Sequence, residues 1–317
     1  MEDGTEMGLP LPYADARAAP RRRLTLGSDR VFWAICLVPP LVILTLVYLY
    51  PLAYGFRDSL TNKTGRRDAQ FVGLDNYRAA LSDDNVLSSI QTTLVFTGLA
   101  LAVELLIGFV LALLLRLITR GRGLLRTMII MPIMLTPVVM GLQWRTMLNY
   151  DLGIVNYFVQ ELGFPRMRWL LDAHQAMASI VAIDVWLNTG FVMLVLSAGL
   201  AVMPDEIFEA AKVDGASWWR QLVDITIPLL KPVIVVVLLF RAFNLLRAFD
   251  IVFSLTQGGP GRATQVLSAY VFDFMFRFFR IGYSTAIAFV LLAITSAVGV
   301  FLVFFVDVED SAAGQRR

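Results

Sequence analysis

The stretch EIFEAAKVDGASWW, residues 206–219, decides how the chain is read. Pro204, Asp205 and Glu206 suit a helix start, where a proline fits the first turn and the dipole favours negative charge. Ile207, Phe208, Ala210 and Ala211 then fall at i, i+1, i+3 and i+4, which gives one apolar face. Gly215 ends that helix at a position able to take positive φ, and Ser217 is placed to cap a second short helix. Trp218 and Trp219 suit a membrane–water interface, where an apolar ring and a polar N–H are both accommodated. Pro228 and Pro232 restart the chain into an apolar run. An acidic, soluble-looking helix pair therefore lies between two segments of membrane-spanning length.

Composition agrees with the flanks. Of 317 residues, 57% are hydrophobic and 16% charged, against roughly 45–50% and about 25% in soluble domains. The excess is concentrated in six runs, near 31–50, 90–115, 127–148, 177–202, 233–255 and 283–306, each close to the ~20 residues that cross a bilayer core. The first follows Arg21, Arg22 and Arg23. It is too long for a signal-peptide core and lacks a small-residue cleavage site, so an uncleaved anchor is expected. The net charge of +2 gives no electrostatic argument for nucleic acid. Cys36 is the single cysteine, reads as a buried small hydrophobe, and cannot form an intrachain disulfide.

Orientation follows from Lys and Arg in short loops. Arg116, Arg120, Arg122 and Arg126 crowd an 11-residue loop, which places that loop, both termini and residues 206–219 in the cytoplasm. An interfacial helix resting on lipid would carry Lys and Arg on its polar face. This one is acidic and would be repelled by anionic cytoplasmic lipid, so a protein partner is the better reading.

EAAKVDGASWWRQLVDITIP resembles the cytoplasmic coupling loop of the permeases of binding-protein-dependent ABC importers, whose pattern is Glu-Ala-Ala, three residues, Gly, nine residues, Ile-x-Leu-Pro. Glu209, Ala210, Ala211, Gly215, Ile225 and Pro228 match it, and Ile227 replaces the leucine. LYPLAYGFRDSL, FVGLDNY at 71–77, WLNTGFVML at 186–194 and FDIVFSLTQGGP at 249–260 resemble the carbohydrate-importer branch, so the similarity covers roughly 31–306. The Gly-Gly-Pro loop suggests the first permease of such a pair. The resemblance implies two permeases above two ATPase subunits, an extracytoplasmic substrate-binding protein, and a coupling helix seated in a cleft of the ATPase. Glu209 would make the polar contact there, Ala210 and Ala211 would permit close docking, and Gly215 would make the turn. Asp214 either supports that turn or is a solvated loop acid.

The chain has no G-x-x-x-x-G-K-[ST] phosphate loop. GGPGRAT lacks the lysine, so no cofactor is expected in this chain, and ATP and magnesium are expected on the ATPase subunits. His174 is the only histidine, no Cys/His metal spacing exists, and no nucleophile–base pair is visible. The chain is not expected to be an enzyme.

Charged residues inside spans are costly in lipid and normally face protein or a water-filled cavity. Glu104, Asp184, Arg241, Arg247 and Asp250 qualify, with Asn188 and Asn244. Arg241, Asn244, Arg247 and Asp250 recur every three residues, and on a straight helix each is rotated about 60° from the last. The ends of the series therefore share one face only if the helix bends or unwinds. In the resembled family the sugar passes a midplane cavity lined partly by this helix. Asn244, Arg241, Arg247 and Asp250 would then meet hydroxyls, and Phe240 and Phe243 could stack on a ring. Each polar residue can instead bond to a neighbouring helix, Arg247 and Asp250 can pair with each other at i, i+3, and Glu104 and Asp184 read as structural. Gly258, Gly259 and Pro260 form a turn that either contacts the binding protein or only connects spans. An anionic substrate would suit Arg241 and Arg247.

The expected protein is all-α, with a tail at 1–30, a six-span permease domain at 31–306 carrying a coupling helix near 204–220, and a tail at 307–317. It is expected in a bacterial or archaeal plasma membrane, in contact with lipid. Two alternatives are an ion-coupled secondary transporter using Asp184, Asp250 and Glu104 as coupling carboxylates, and a structural scaffold for a membrane complex.

Overall fold

The computed structural model describes residues 26–65 and 69–314. The described residues are helical, with no strand beyond one isolated bridge between Thr61 and Phe71. The chain forms two compact units, one up to Tyr54 and one from Gly55.

The first unit holds the anchor helix up to Tyr54. α1 (Leu26–Leu44) runs through a wide turn at Thr45–Leu49 into α2 (Tyr50–Ser59). Pro39 and Pro40 lie inside α1 without ending it. The span Val31–Ser59 is longer than the run at 31–50, because polar Arg57 and Asp58 continue the helix.

The second unit is built on four long helices: α4 (Asp84–Leu117), α8 (Ala173–Ala201), a span Trp218–Leu246 that ends in α11 (Ile227–Leu246), and α14 (Ile281–Gly314). α8 is the most enclosed. α4 packs along α8, and Gly108 permits the approach, since a Cβ there would lie 2.6 Å from Val192 Cγ1 and 3.1 Å from the Met193 nitrogen. Ala112, Leu115, Met193, Leu196 and Leu200 fill this contact, and Leu230 of α11 joins their cluster.

The run at 127–148 is not one straight span. α5 (Arg122–Ile130) passes through a tight turn at Met131–Met134, and α6 (Pro137–Met147) leaves at 93°. Pro132 and Pro137 each lack an N–H and fix φ, which suits the starts of the 131–134 turn and of α6, where they stand. The six expected spans are thus five continuous ones and one bent pair.

The fifth run also differs. Its helix stops at Leu246, and α12 (Asp250–Leu255) begins after three non-helical residues, where 233–255 reads as continuous in the sequence. No proline or glycine marks this stop. Asn244 Nδ2 donates to the Phe240 carbonyl at 2.7 Å and Arg247 Nε to the Phe243 carbonyl at 3.1 Å. The Phe243 carbonyl is among the last four of the helix, which lack intrahelical partners.

Several connections carry short helices of their own. α3 (Asp75–Leu81) precedes α4, whose N-cap Asp83 accepts from the Asn85 N–H and from the hydroxyls of Tyr270 and Tyr283 at 3.0 and 2.9 Å. Burial works to raise the Asp83 carboxyl, but these hydrogen bonds outweigh it and hold it below its ordinary value. Tyr270 lies in α13 (Leu267–Phe272) and is pushed up to about 12 by burial and by its bond to Asp83. Between α6 and α8, α7 (Ile154–Glu161) carries Asn156, which is buried. Asn156 Nδ2 donates to the carbonyls of Tyr150 and Met167, and its Oδ1 accepts from the Met167 N–H and Trp169 Nε1. The expected tail at 307–317 is helical as far as Gly314, as part of α14. The expected tail at 1–30 lies outside the described residues except for the start of α1.

Candidate functional site

The break after Leu246 removes the geometric obstacle posed by the three-residue spacing. A cleft of ≈ 540 Å³ is lined by Arg241, Asn244, Arg247 and Asp250 together, with Asp184 and Asn188 of α8 opposite. An unbroken helix would have turned Asp250 away from Arg241.

These polar groups are not equivalent. Arg241 is only 4% exposed, and its guanidinium is held by two carboxylates. Nε and Nη2 donate to the two oxygens of Glu104 at 2.7 and 2.6 Å, and Nη2 also donates to Asp184 Oδ2 at 2.6 Å. Glu104 is fully buried. The cluster joins α4, α8 and α11, the arrangement that makes buried charge tolerable, and it confirms the structural reading of Glu104 and Asp184. Arg241 keeps an edge on the cleft, but its Nε and Nη2 donors are spent on the two carboxylates.

Asn244, Arg247 and Asp250 are exposed on the cleft wall. The pairing of Arg247 with Asp250 that i, i+3 spacing allows does not form, because the helix ends between them. Arg247 has no carboxylate partner among the described residues. The two aromatic candidates lie apart from the cleft wall. Phe240 packs on Phe191 with ring centroids 4.8 Å apart. Phe243 lies over Gly299 of α14, where a Cβ would come within 2.6 Å of its ring.

The stretch at 206–219 folds as its pattern dictates. α9 (Asp205–Val213) starts after Pro204 and closes at Asp214, Gly215 has φ +75°, and Ser217 caps α10 (Trp218–Arg220) at 3.4 Å from the Arg220 nitrogen. The apolar face divides. Phe208 and Ala211 turn inward, while Ile207 and Ala210 stay exposed beside Glu209. Arg116 secures α9 to the end of α4, 3.0 Å from Asp205 and 4.5 Å from the centre of the Phe208 ring. Sequence reasoning took Arg116 for a topology signal only. Its link to Asp205 spans 89 positions, and no local pattern announces it.

The Gly-Gly-Pro turn is folded in more than its composition suggests. Gly258 is buried, and Thr264 Oγ1 reaches the Gly259 carbonyl at 2.6 Å and Thr256 Oγ1 at 2.8 Å. The exposed apex is Gly261 and Arg262. His174 is exposed at the start of α8, and no cluster of metal-ligating residues occurs among the described residues.

A multi-span helical bundle with a polar cleft between its helices, and a helix pair exposed at one end, is the architecture of a transport permease. The family described as binding-protein-dependent transport system inner membrane component matches residues 104–310, and the chain belongs to it. The chain is 36% identical over 241 residues to the trehalose/maltose transport system permease protein of Thermococcus litoralis, covering 76% of this chain and 82% of that protein. It is 34% identical over 301 residues to the sulfoquinovosyl glycerol transport system permease protein of Agrobacterium fabrum, covering 93% and 97%. Its fold is similar to a chain of a bacterial alginate ABC transporter solved with a periplasmic protein bound to alginate pentasaccharide, with a TM-score of 0.75 and 22% identity over 88% of this chain and 96% of that one. The chain is thus the permease subunit of a binding-protein-dependent ABC importer and a multi-pass protein of the plasma membrane. Membership removes both alternatives, the ion-coupled carrier and the scaffold. Glu104 and Asp184, offered as coupling carboxylates, are bound to Arg241 instead.

Proposed function

We propose that this chain is half of the translocation pathway of a bacterial or archaeal carbohydrate importer, the first permease of its pair. It works with a second homologous permease, two ATPase subunits that hold ATP and magnesium, and an extracytoplasmic binding protein. The observation that carries the reading is the cleft in which Asn244, Arg247 and Asp250 keep donors and acceptors unspent beside Asn188. Hydroxyl-rich ligands need paired donors and acceptors, and relatives named for trehalose/maltose and sulfoquinovosyl glycerol point the same way. Arg247, free of any described carboxylate, also suits an acidic group such as a sugar phosphate.

In this reading α9 and α10 face the cytoplasm and dock in the ATPase. Glu209 and Ala210 form the contact, Ala211 anchors the helix from within, and Gly215, with Asp214 as C-cap, makes the turn. The loop at Gly258, Gly259 and Pro260 supports an outer apex at Arg262 that receives the binding protein. The chain itself catalyses no reaction.

The test uses the assembled transporter in proteoliposomes, with the ligand chosen as the compound that raises the melting temperature of the cognate binding protein. ATP-dependent uptake should fall at least tenfold for Asn244→Leu, while complex yield stays at the wild-type level. Loss of yield in parallel with uptake would assign Asn244 to packing, and a binding protein stabilised only by non-carbohydrates would overturn the substrate class.

A further inference from the structure

A second polar cavity, of ≈ 230 Å³, lies at the arginine-rich end of the bundle, far in sequence from the cleft residues of α11. Arg116, Arg122, Asp205 and Ser197 supply its polar lining. Ser197 is 7% exposed, and its hydroxyl has no hydrogen-bond partner among the described residues. A buried hydroxyl without a protein partner is costly unless water or a ligand satisfies it.

Asp205 is the one carboxylate in the cavity lining, so cations outnumber anions there. Arg116 is paired with Asp205, but Arg120, Arg122 and Arg126 are exposed and have no carboxylate partner among the described residues. α5 begins at Arg122 after Gly121 with φ +76° and no side-chain cap, so its first-turn N–H groups add to the positive potential. Exposed apolar side chains stand near these arginines in the chain, with Leu117 73%, Leu124 64% and Met128 56% exposed.

From this combination we infer that the cavity binds the phosphate group of an anionic phospholipid, whose acyl chains cover Leu117, Leu124 and Met128. The unpaired Arg122 guanidinium supplies charge and directional donors, and Ser197 supplies the buried hydrogen bond. A soluble phosphate would use the same donors but leave the apolar rim uncovered. The inference stands apart from the proposed substrate and coupling roles, since binding of lipid is read without transport.

The assembled transporter is reconstituted in vesicles of phosphatidylcholine with phosphatidylglycerol, extracted in mild detergent, and weighed intact by native mass spectrometry. Phosphatidylglycerol should be retained in preference to phosphatidylcholine. Arg122→Gln should lower that retention about fivefold, and Ser197→Ala should lower it at unchanged net charge. Arg120→Gln and Arg126→Gln, which remove charge outside the cavity, should have smaller effects. Equal retention of the two lipids would overturn the inference. So would displacement of the lipid by inorganic phosphate, or equal losses for all three arginine variants, which would mean diffuse attraction. Cysteine accessibility in each variant confirms unchanged topology, so that a misinserted chain is not scored.

Discussion

Arg241 shows how one side chain can serve the interior of a membrane protein and border its cleft. Both of its carboxylate partners come from other spans, 137 and 57 positions away. Arg241→Leu would strand Glu104 and Asp184 without a counter-ion. Removing one partner of a buried pair costs about 3–5 kcal/mol, and the expected outcome is a large drop in purified yield and melting temperature. The triple change Arg241→Leu, Glu104→Leu, Asp184→Leu should recover much of that loss, because the unpaired charges go as well. A triple variant as unstable as the single one would refute this account. Asp83 offers a pH-dependent counterpart outside the spans. Its folded-state value is depressed, so its contribution is complete above the unfolded value near 3.8 and fades as pH falls through the folded value. The melting difference between wild type and Asp83→Asn in detergent should therefore be widest near neutral pH and shrink in acid.

At the scale of the element, α9 and the turn after it can be tested separately. A Cβ at Gly215 meets nothing within 4 Å, so the penalty of a substitution there is purely one of backbone. Gly215→Val must hold a β-branched residue at φ +75°, at a cost of about 1–3 kcal/mol. The strain falls on the turn and leaves the spans intact. Glu209→Lys reverses an exposed charge and should spare folding altogether. Both variants should reach the membrane at wild-type levels yet lose ligand-stimulated ATP hydrolysis in the assembled transporter. Normal stimulated hydrolysis in both would remove the coupling role from α9.

For the whole molecule, the distribution of arginine predicts one orientation. A cysteine at Arg120 should react with an impermeant thiol reagent only from the cytoplasm, and one at Asp75 only from outside, each in a Cys36→Ala background. The opposite labelling would reverse the assignment of α9 to the cytoplasm. Lys and Arg in short loops are read during insertion, so orientation is a property that a sequence can carry without a folded structure.

Sequence by itself determined what depends on local chemistry. Span count follows from apolar length, and the α9–α10 turn from Pro204, Gly215 and Ser217, because cap and turn preferences act within a few residues. Arg241, Asn244, Arg247 and Asp250 in or near α11 were legible as a polar set, and so was the condition under which they could face one space. Tertiary structure decided how that condition was met. The helix ends at Leu246 without a proline or glycine, and Arg247 Nε donates to the Phe243 carbonyl of its last turn. Only the fold brings Glu104 and Asp184 to Arg241, turns Phe243 onto Gly299, and sets Arg116 against Asp205. Such pairings depend on which helices pack together, and packing is a choice among distant partners that helical periodicity cannot rank. A charge in a span says that it must find a partner or a cavity, and three dimensions are needed to say which.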